Sequence, residues 1–415
     1  MQKSQKSHST GSRTSRKVSR NGRLLWDNTK KVIRKAYHSV MATLTILLCG
    51  IVILSAYSDF VNPQWMVYPS FLGIGFGILL VVALVWAIVL LVLARWRCLM
   101  VMGITLLIIL MPLWRYCPIH PFGPSPITGV EGLDGRERPI AVDSIRLLTY
   151  NTCAMGQTRL SKIKEPLPVI DFVKQSGADI VCMQEYAFTL SKGGHTQEQI
   201  RSLLKKEYPY YDYTPNDRRT AMGIALYSKY PIRKALRVDK RKKGYFSCMY
   251  YQLDVNGRLI GLVNMHLHTN SIQPKDRVLY DEMIDHFEPD SIGRIRSGML
   301  RSLGNAFRQR ADESAAIVRF LRDNHPDGMP LLICGDMNDT PISHCYHTLR
   351  QNLSDAWQEA GSGYGITYHE HHFWFRIDHI FHSSQFRTLD ARIRKDIPYS
   401  DHYPLQATFQ LLPEL

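Results

Sequence analysis

The apolar residues of this chain follow two different patterns. Between residues 40 and 114 they form three long uncharged runs, and from residue 140 onward they form short β-rich runs separated by polar loops. A membrane-spanning helix needs about 20 mostly apolar residues, within a range of roughly 17–25. The pattern therefore predicts three transmembrane helices followed by a globular domain. The predicted spans are residues 40–57, 71–94 and 98–114.

The positive charge is concentrated at the N-terminus. Of the formal net charge of +15, residues 1–40 carry +10 and residues 41–115 carry +2, so the remaining 300 residues carry only +3. This distribution argues against a DNA-binding surface on the globular part. Residues 1–39 form a basic tail, which we expect to begin unstructured and to become a basic amphipathic segment on anionic lipid from Leu24 to Val40.

The same basic residues predict an orientation in the membrane. The basic tail precedes the first span, and Arg95 and Arg97 lie between the second and third, whereas the loop between the first two spans has no Lys or Arg. By the positive-inside rule the tail is cytoplasmic, and everything after Trp114 lies on the other side of the membrane. Residues 115–139 are rich in Pro and Gly, which predicts an extended linker.

From residue 140 to 415, short strand-like runs deliver polar side chains near their ends, with helical patterns between some of them. Mixed short strands and helices favour a layered α/β domain, and such folds build sites from polar groups at strand ends. One stretch, "LLICGDMNDTP", is typical of either a turn or a site. The motifs that share this character are "TYNT", "MQEY", "VNMHLH", "GDMND", "RIDHIF" and "SDHYP".

These six motifs, in this order, resemble those of the endonuclease/exonuclease/phosphatase superfamily, the DNase I-like metal-dependent phosphoesterases. The resemblance covers about residues 143–412. It implies a four-layer α/β sandwich, in which two mixed sheets are packed together and flanked by helices, with the site at one end.

The resemblance also implies a metal site. Glu185 of "MQEY" matches the principal metal ligand, Asn151 of "TYNT" matches the amide beside it, and Asp401 of "SDHYP" matches a residue near the metal. Hard oxygen ligands suit Mg²⁺ or Mn²⁺.

The remaining motifs match the catalytic groups of the family. Asp336 and Asn338 match the pair that orients or deprotonates the attacking water and contacts the phosphate, and their i, i+2 spacing lets both face one ligand. His402 matches the catalytic histidine, with Asp378 as its carboxylate partner, and either His402 or Asp336 would take the proton from water. His266 matches a group for leaving-group protonation or phosphate binding.

Three further residues receive secondary interpretations. Asn264 and His268 alternate with His266 along the same run, so they share its face and are secondary site candidates. Asp339 is interpreted as a turn or helix-capping residue.

The implied function is an extracytoplasmic Mg²⁺-dependent phosphoesterase in a bacterial cytoplasmic membrane, acting on a phosphorylated, lipid-linked or small substrate. Three spans next to the catalytic domain favour a substrate in the bilayer. The architecture also resembles membrane-tethered superfamily members that dephosphorylate undecaprenyl pyrophosphate. One alternative is a membrane-anchored nuclease, disfavoured because no basic residue follows Glu185 closely. Another is a non-catalytic membrane receptor on the same fold.

Residues 269–310 resemble a family insertion. Apolar residues at helical spacing, beside several arginines, predict an amphipathic helix packed on the domain. The alternative is a lid that meets lipid at the membrane surface.

Overall fold

The computed structural model describes residues 10–120, 144–156, 168–188, 195–216, 222–238, 247–269, 289–370 and 373–413. The helices are α1 Thr10–Ala56, α2 Tyr68–Ile74, α3 Phe76–Val92, α4 Trp96–Ile108, α5 Leu110–Tyr116, α6 Pro168–Gln175, α7 Gln197–Leu204, α8 Pro289–Asn324, α9 His344–Arg350 and α10 Ala356–Ala360, with a 3₁₀ turn at Ser58–Phe60. The strands are β1 Ser144–Asn151, β2 Ile180–Ala187, β3 Tyr210–Pro215, β4 Met222–Ser228, β5 Ile232–Arg237, β6 Ser247–Val255, β7 Arg258–His266, β8 Leu331–Asp336, β9 Ser354–Asp355, β10 Asp378–His382, β11 Phe386–Ile393 and β12 Leu405–Leu411.

The chain divides into two compact units. One contains residues up to Ile53 together with Ile78–Ile108, and the other contains Leu54–Gly77 and everything from Ile109 onward. The second unit therefore includes the globular domain and the chain segments at the ends of the apolar helices. Within the described residues, one uninterrupted helix, Trp26–Ala56, is long and apolar enough to cross a membrane.

The prediction of three regular spans is confirmed only in part. The second predicted span is divided into α2 and α3, which meet at an angle of 64°, and the third into α4 and α5, which meet at 63°. Each pair has the length and composition of a span only when its two halves are counted together. The physical reason is that α2 and α5 belong to the unit that contains the globular domain and pack there.

The basic tail also differs from expectation. Helix α1 begins at Thr10, whereas an unstructured start was predicted; residues 1–9 lie outside the described part of the chain. Extending an existing helix adds one hydrogen bond per residue without a new nucleation cost, which accounts for helix through this polar stretch. Of the predicted linker, residues 115–120 are described and pack on the globular domain, and residues 121–139 lie outside the description.

The globular domain is a sandwich of two six-stranded mixed sheets, as predicted. The first has the order β11-β12-β1-β2-β4-β3, and the second has the order β5-β6-β7-β8-β10-β9. Side chains from both sheets form a shared inner core, which includes Leu147, Leu226, Leu262 and Leu332. Because stacked sheets bury their facing surfaces together, this core fixes the two sheets against each other.

Helices cover both outer faces. Helices α6 and α7 pack on the first sheet through residues such as Ile170 and Ile200. Helices α8 and α9 pack on the second through Ile317 and Leu349. The order of layers is therefore helix, sheet, sheet, helix.

Parallel pairing brings polar strand ends together at one end of this sandwich. β1 pairs in parallel with β2, and β7 pairs in parallel with β8. In the second sheet His266 lies opposite Asp336, and Asp336 lies opposite Asp378, so three adjacent strands present their polar residues in one row. Carboxyl ends of parallel strands meet at one edge, which is why the separate motifs converge.

Gly335, which immediately precedes Asp336, permits this close packing. It has φ of 138°, and a Cβ built on it would lie 1.9 Å from the backbone oxygen of Met265. No side chain fits here without displacement of the adjacent strand.

We predict that Gly335→Ala destabilises the full chain by more than about 3 kcal/mol, because strain and a backbone clash add. The matched control is Gly257→Ala, which also has positive φ but has nothing within 4 Å of the added Cβ. That variant should lose about 1 kcal/mol. Denaturant unfolding in detergent measures both, and equal losses would contradict the packing argument.

Candidate active site

The Asp336 carboxylate lies where the two sheets meet. It is buried at the end of β8, and its Oδ2 accepts a hydrogen bond of 2.9 Å from Asn151 Nδ2 at the end of β1. Its Oδ1 accepts a hydrogen bond of 2.7 Å from the backbone N–H of Asn338. Burial raises the pKa of Asp336, against the opposing effect of the charge on His402. The group is thus held by donors from both sheets while remaining a stronger base than an exposed carboxylate.

Glu185 is brought to the same place by an irregularity in β2. The pairing of β2 with β4 shifts between Met183 and Tyr186, and Glu185 has φ of 47°. Such bulges redirect a side chain relative to its strand. Glu185 Oε1 lies 3.3 Å from Asn151 Nδ2 and 3.7 Å from His266 Nε2, and the side chain is a quarter exposed. Glu185 is therefore a partly accessible carboxylate of the cluster.

His266 lies between two carboxylates. Its Nε2 is 3.6 Å from Asp336 Oδ2 and 3.7 Å from Glu185 Oε1. Within the described part of the chain, neither ring nitrogen has a hydrogen-bond partner, although the side chain is buried. Buried polar atoms normally have partners, so the open nitrogens indicate a site built to receive a polar ligand.

His402 is oriented by Asp378. Its Nδ1 lies 2.8 Å from Asp378 Oδ2, and its Nε2 lies 3.7 Å from Asp336 Oδ2. Thr367 Oγ1 accepts hydrogen bonds from the backbone N–H groups of Ile377 and Asp378, which fixes the start of β10. Burial alone would lower the pKa of His402, but the carboxylates of Asp378 and Asp336 outweigh it and raise that pKa well above its usual value. The arrangement favours an imidazolium whose Nε2 points into the cluster.

Asp401 lies beside the end of β1. Ser400 Oγ donates to the carbonyl of Asn151 at 2.8 Å and also contacts Asp401 Oδ1 at 3.2 Å. Burial would raise the pKa of Asp401, but the charge of His402 and hydrogen bonds from Cys153 and Ser400 lower it. Asp401 therefore adds a carboxylate to the side of the site formed by β1.

Asn338 is held on the loop after β8. It has φ of 52°, a left-handed conformation that Asn tolerates better than most residues. Its Nδ2 donates to the carbonyl of Leu267 at 3.1 Å, and its backbone N–H reaches back to Asp336. Asp339 does not enter this cluster; its Oδ2 accepts from the buried Arg310 Nε at 3.0 Å. Burial raises the pKa of Asp339 despite the charge of Arg310.

The two secondary candidates have different surroundings, since Asn264 bonds between the sheets and His268 lies near His266. Asn264 Nδ2 donates to the carbonyl of Ala225, and its Oδ1 accepts from Gln184 Nε2 at 2.8 Å, so Asn264 links the two sheets. The backbone N–H of His268 donates a hydrogen bond of 2.8 Å to Glu313 Oε2. Burial and the nearby Arg310 lower the pKa of the His268 imidazole to about 4.

Four supporting residues had no clear signal in the sequence. Gln184, Thr367, Ser400 and Arg310 each bind an atom next to a site residue, as described above. Gln184 and Ser400 precede Glu185 and Asp401 within quoted motifs, which is a weak local signal. Thr367 and Arg310 lie outside the motifs, so only the fold shows that they contact the site.

The site suits a hard divalent cation. Asp336, Asp378 and His402 offer possible metal-ligand atoms within 4.8 Å of one another. However, His402 Nδ1 and Asp378 Oδ2 are already joined by a hydrogen bond. Glu185 and Asp401 supply further carboxylate oxygens at the β1 and β2 side. The Nδ2 of Asn151 points toward the carboxylates, and its Oδ1 accepts a hydrogen bond from the backbone N–H of Cys153. Asn151 therefore holds the carboxylates in place by donating hydrogen bonds to them. Oxygen-rich sets of this kind are typical of Mg²⁺ and Mn²⁺ sites.

Comparisons with known proteins identify a family profile and solved structures that resemble this chain. The sequence profile of the Endonuclease/Exonuclease/phosphatase family matches residues 148–402, which is more than half of the chain, and the profile of a domain of unknown function matches residues 38–116. A sequence search of curated proteins finds no significant match.

Similar solved structures include an endonuclease/exonuclease/phosphatase from Bacteroides vulgatus, which is 18% identical with a TM-score of 0.43 and covers 65% of this chain and 99% of its own. The human Nocturnin catalytic domain with a bound sulfate anion is 16% identical with a TM-score of 0.47, covering 66% of this chain and 95% of its own. Truncated Caenorhabditis elegans TDP2 is 17% identical with a TM-score of 0.42, covering 64% of this chain and 98% of its own.

The residues that the family profile matches include Asn151, Glu185, His266, Asp336, Asp378 and His402. The chain belongs to the endonuclease/exonuclease/phosphatase family and is a metal-dependent hydrolase of phosphoric esters.

Proposed function

We propose that the chain is a membrane-anchored, extracytoplasmic Mg²⁺-dependent phosphoesterase acting on a phosphorylated, lipid-linked substrate. One observation carries the proposal: the end of the apolar helix α1 and the hydrolytic site belong to the same compact unit. Ser58, two residues after α1 ends, donates to the carbonyl of Ile342 at 3.2 Å. Ile342 is six residues from Asp336, at most about 20 Å of extended chain.

This short distance suits a substrate whose phosphate lies at the lipid headgroups. The helix from Trp26 to Ala56 has 31 residues, which at about 1.5 Å per residue exceeds a hydrocarbon core of roughly 30 Å. Its end can therefore reach the headgroup region. Exposed Trp65 and Tyr68, in the same unit, suit the membrane interface. Delivery from the bilayer would raise the local substrate concentration without additional contacts.

The charge distribution supports the extracytoplasmic placement and a non-nucleic-acid substrate. The basic tail and Arg95 and Arg97 favour the cytoplasmic side, which leaves the domain after α5 outside. A charge of +3 over the last 300 residues is weak for a surface that grips DNA.

The reaction assigned to the site is attack of water on phosphorus, with cleavage of the phosphorus–oxygen bond to the leaving group. Asp336 accepts the proton of the water, because its buried carboxylate is a stronger base than usual. His402, held by Asp378, presents a cationic Nε2 to the phosphoryl oxygens. His266, with both nitrogens open, contacts the phosphate or protonates the leaving oxygen.

Glu185 and Asp401 are the residues that would hold the cation, and Asn151, the third predicted metal residue, would steady Glu185 through its Nδ2. A bound Mg²⁺ would neutralise negative charge on the phosphate oxygens and stabilise the charge that develops on the leaving group. Asn338, fixed by its bonds to Asp336 and Leu267, borders the space that the phosphate would occupy.

A substrate panel tests the proposed substrate class. The full chain in detergent or liposomes is required, because segments before residue 120 pack on the domain. With Mg²⁺, we expect turnover of polyprenyl pyrophosphate to exceed that of phospholipids, inositol phosphates and plasmid DNA. Asp336→Ala and His402→Ala should each lose at least about 10²-fold. Rapid nicking of DNA with no lipid turnover would instead establish a nuclease.

Substitution of Glu185 tests the cation site. Glu185→Gln removes the charge of the partly accessible carboxylate, so the Mg²⁺ concentration for half-maximal activity should rise by about tenfold or more. Titration of activity with Mg²⁺ measures this shift. An unchanged half-maximal concentration would remove Glu185 from the cation site.

Substitution of Asp378 tests the role assigned to His402. Asp378→Asn weakens the fixed orientation of His402 and should lower kcat by about 10²-fold, with the Mg²⁺ requirement unchanged. The matched control is Glu359→Gln, since Glu359 also pairs with a histidine, His382, at 2.9 Å but outside the cluster. Its kcat should stay within about twofold of the wild type. Equal losses in both variants would contradict the assigned role of Asp378.

A further inference from the structure

Two segments at the ends of the apolar helices pack on the parts of the domain that carry the site. We call Ser58–Phe60 the membrane-proximal turn and Arg115–Pro118 the α5 exit. Both belong to the same compact unit as the globular domain. Neither contributes an atom to the cluster around Asp336, yet each contacts a segment that does.

The membrane-proximal turn packs on the loop between β8 and α9, which carries Asn338. Ser58 Oγ donates to the carbonyl of Ile342, and the carbonyl of Asp59 accepts from His344 Nδ1 at 3.0 Å. The Asp59 carboxylate also lies 3.4 Å from His347 Nδ1. Both the end of the loop and the first turn of α9 are therefore fixed by the turn.

Helix α2 reinforces this contact by close approach. A Cβ built on Gly73 would lie 2.4 Å from Ser58 Oγ and 2.7 Å from the carbonyl oxygen of Ile342. The packing therefore requires a residue without a side chain at position 73. Nearby, Phe71 contacts Phe307 of α8 edge to face at 5.3 Å. Arg310, one turn further along α8, binds Asp339 at the start of the same loop.

The α5 exit packs on the segment that leads into β10. Arg376 is fully buried, and its Nη2 donates to the carbonyl of Arg115 at 2.6 Å and to that of Tyr116 at 3.4 Å. Arg376 precedes Asp378 by two residues. The backbone N–H of Gly363 donates to the carbonyl of Pro118 at 2.7 Å. A charged donor on the last carbonyls of a helix is a strong attachment, and here it fixes the approach to the catalytic carboxylate.

One buried ion pair joins the two segments. Arg115 Nη2 lies 2.8 Å from Asp59 Oδ2, with Asp59 fully buried and the Arg115 side chain 11% exposed. Removal of one member of such a pair leaves an uncompensated buried charge, whereas removal of both is far less costly. The pair therefore couples the loop that carries Asn338 to the segment that carries Asp378.

We propose that the membrane-proximal turn and the α5 exit position the active site, with Asp59 and Arg115 as positioning residues for Asn338 and Asp378. Hydrolysis then depends on these segments being docked on the domain. The inference rests on the hydrolytic reaction of the family and is independent of the lipid-linked substrate. It assigns a catalytic purpose to chain segments that the sequence places in or beside the membrane anchor.

The test uses the full chain in detergent, with Mg²⁺ and bis-para-nitrophenyl phosphate as substrate. Asp59→Asn and Gly73→Ala disturb the docking in different ways, one by charge and one by shape. Both should lower kcat by about tenfold while KM changes less than about twofold, because misplaced groups impair the reaction more than binding. Amide hydrogen exchange should rise in residues 337–344 and 376–380, and remain at the wild-type rate in α6 and α7.

Two controls separate positioning from general damage. Gly50→Ala lies in α1, where an added Cβ meets nothing within 4 Å, and should match the wild type in both measurements. The double variant Asp59→Asn, Arg115→Gln removes both charges and should recover kcat to within about threefold of the wild type.

Three results would overturn the proposal. The first is unchanged kcat and exchange in both Asp59→Asn and Gly73→Ala. The second is a uniform rise in exchange across the domain, which would show general destabilisation. The third is a double variant no better than Asp59→Asn. If the wild type does not cleave this ester, the exchange pattern alone decides the outcome.

Discussion

The hydrogen bond from Asn151 to Asp336 joins the two sheets at the floor of the site, and the other contacts of the cluster are arranged around it. A carboxylate that is 1% exposed must be held by donors, and here one donor comes from β1 and another from the loop after β8. The same Asn151 amide reaches Glu185 Oε1. One amide therefore sets the spacing between the buried carboxylate and the partly exposed one, and the shared inner core of the sandwich keeps that spacing fixed.

Contacts around the site hold its residues in place in addition to the hydrogen bond between Asn151 and Asp336. Gly335 allows β8 to approach Met265 closely, and Thr367 fixes the start of β10. We propose that the membrane-proximal turn and the α5 exit add further restraints from outside the sandwich. Catalytic groups then stay in place because several elements restrain each loop, which is a general requirement for a preorganised site.

Much of the site could be predicted from the sequence because its residues lie within short motifs at strand ends. "GDMND" and "RIDHIF" place their carboxylates where β8 ends and β10 begins, and the layered α/β fold follows from the alternation of such runs. The bends of the second and third apolar segments could not be predicted, because composition reports length and polarity but not what α2 and α5 pack against. The pairing of Asp59 with Arg115 and the bond between Asn264 and Gln184 join residues distant in sequence. Only the fold makes these residues neighbours, whereas the sequence alone makes Asn264 a secondary site candidate.

The central claim is that His402 and Asp378 act together as an oriented pair while a cation is held on the Glu185 side of the cluster. A crystal structure of the full chain with Mn²⁺, located by its anomalous scattering, tests this claim most directly. The account predicts Mn²⁺ bound to Glu185, with His402 Nδ1 still bonded to Asp378. Mn²⁺ bound to His402 and Asp378, with that bond broken and Glu185 free, would contradict it.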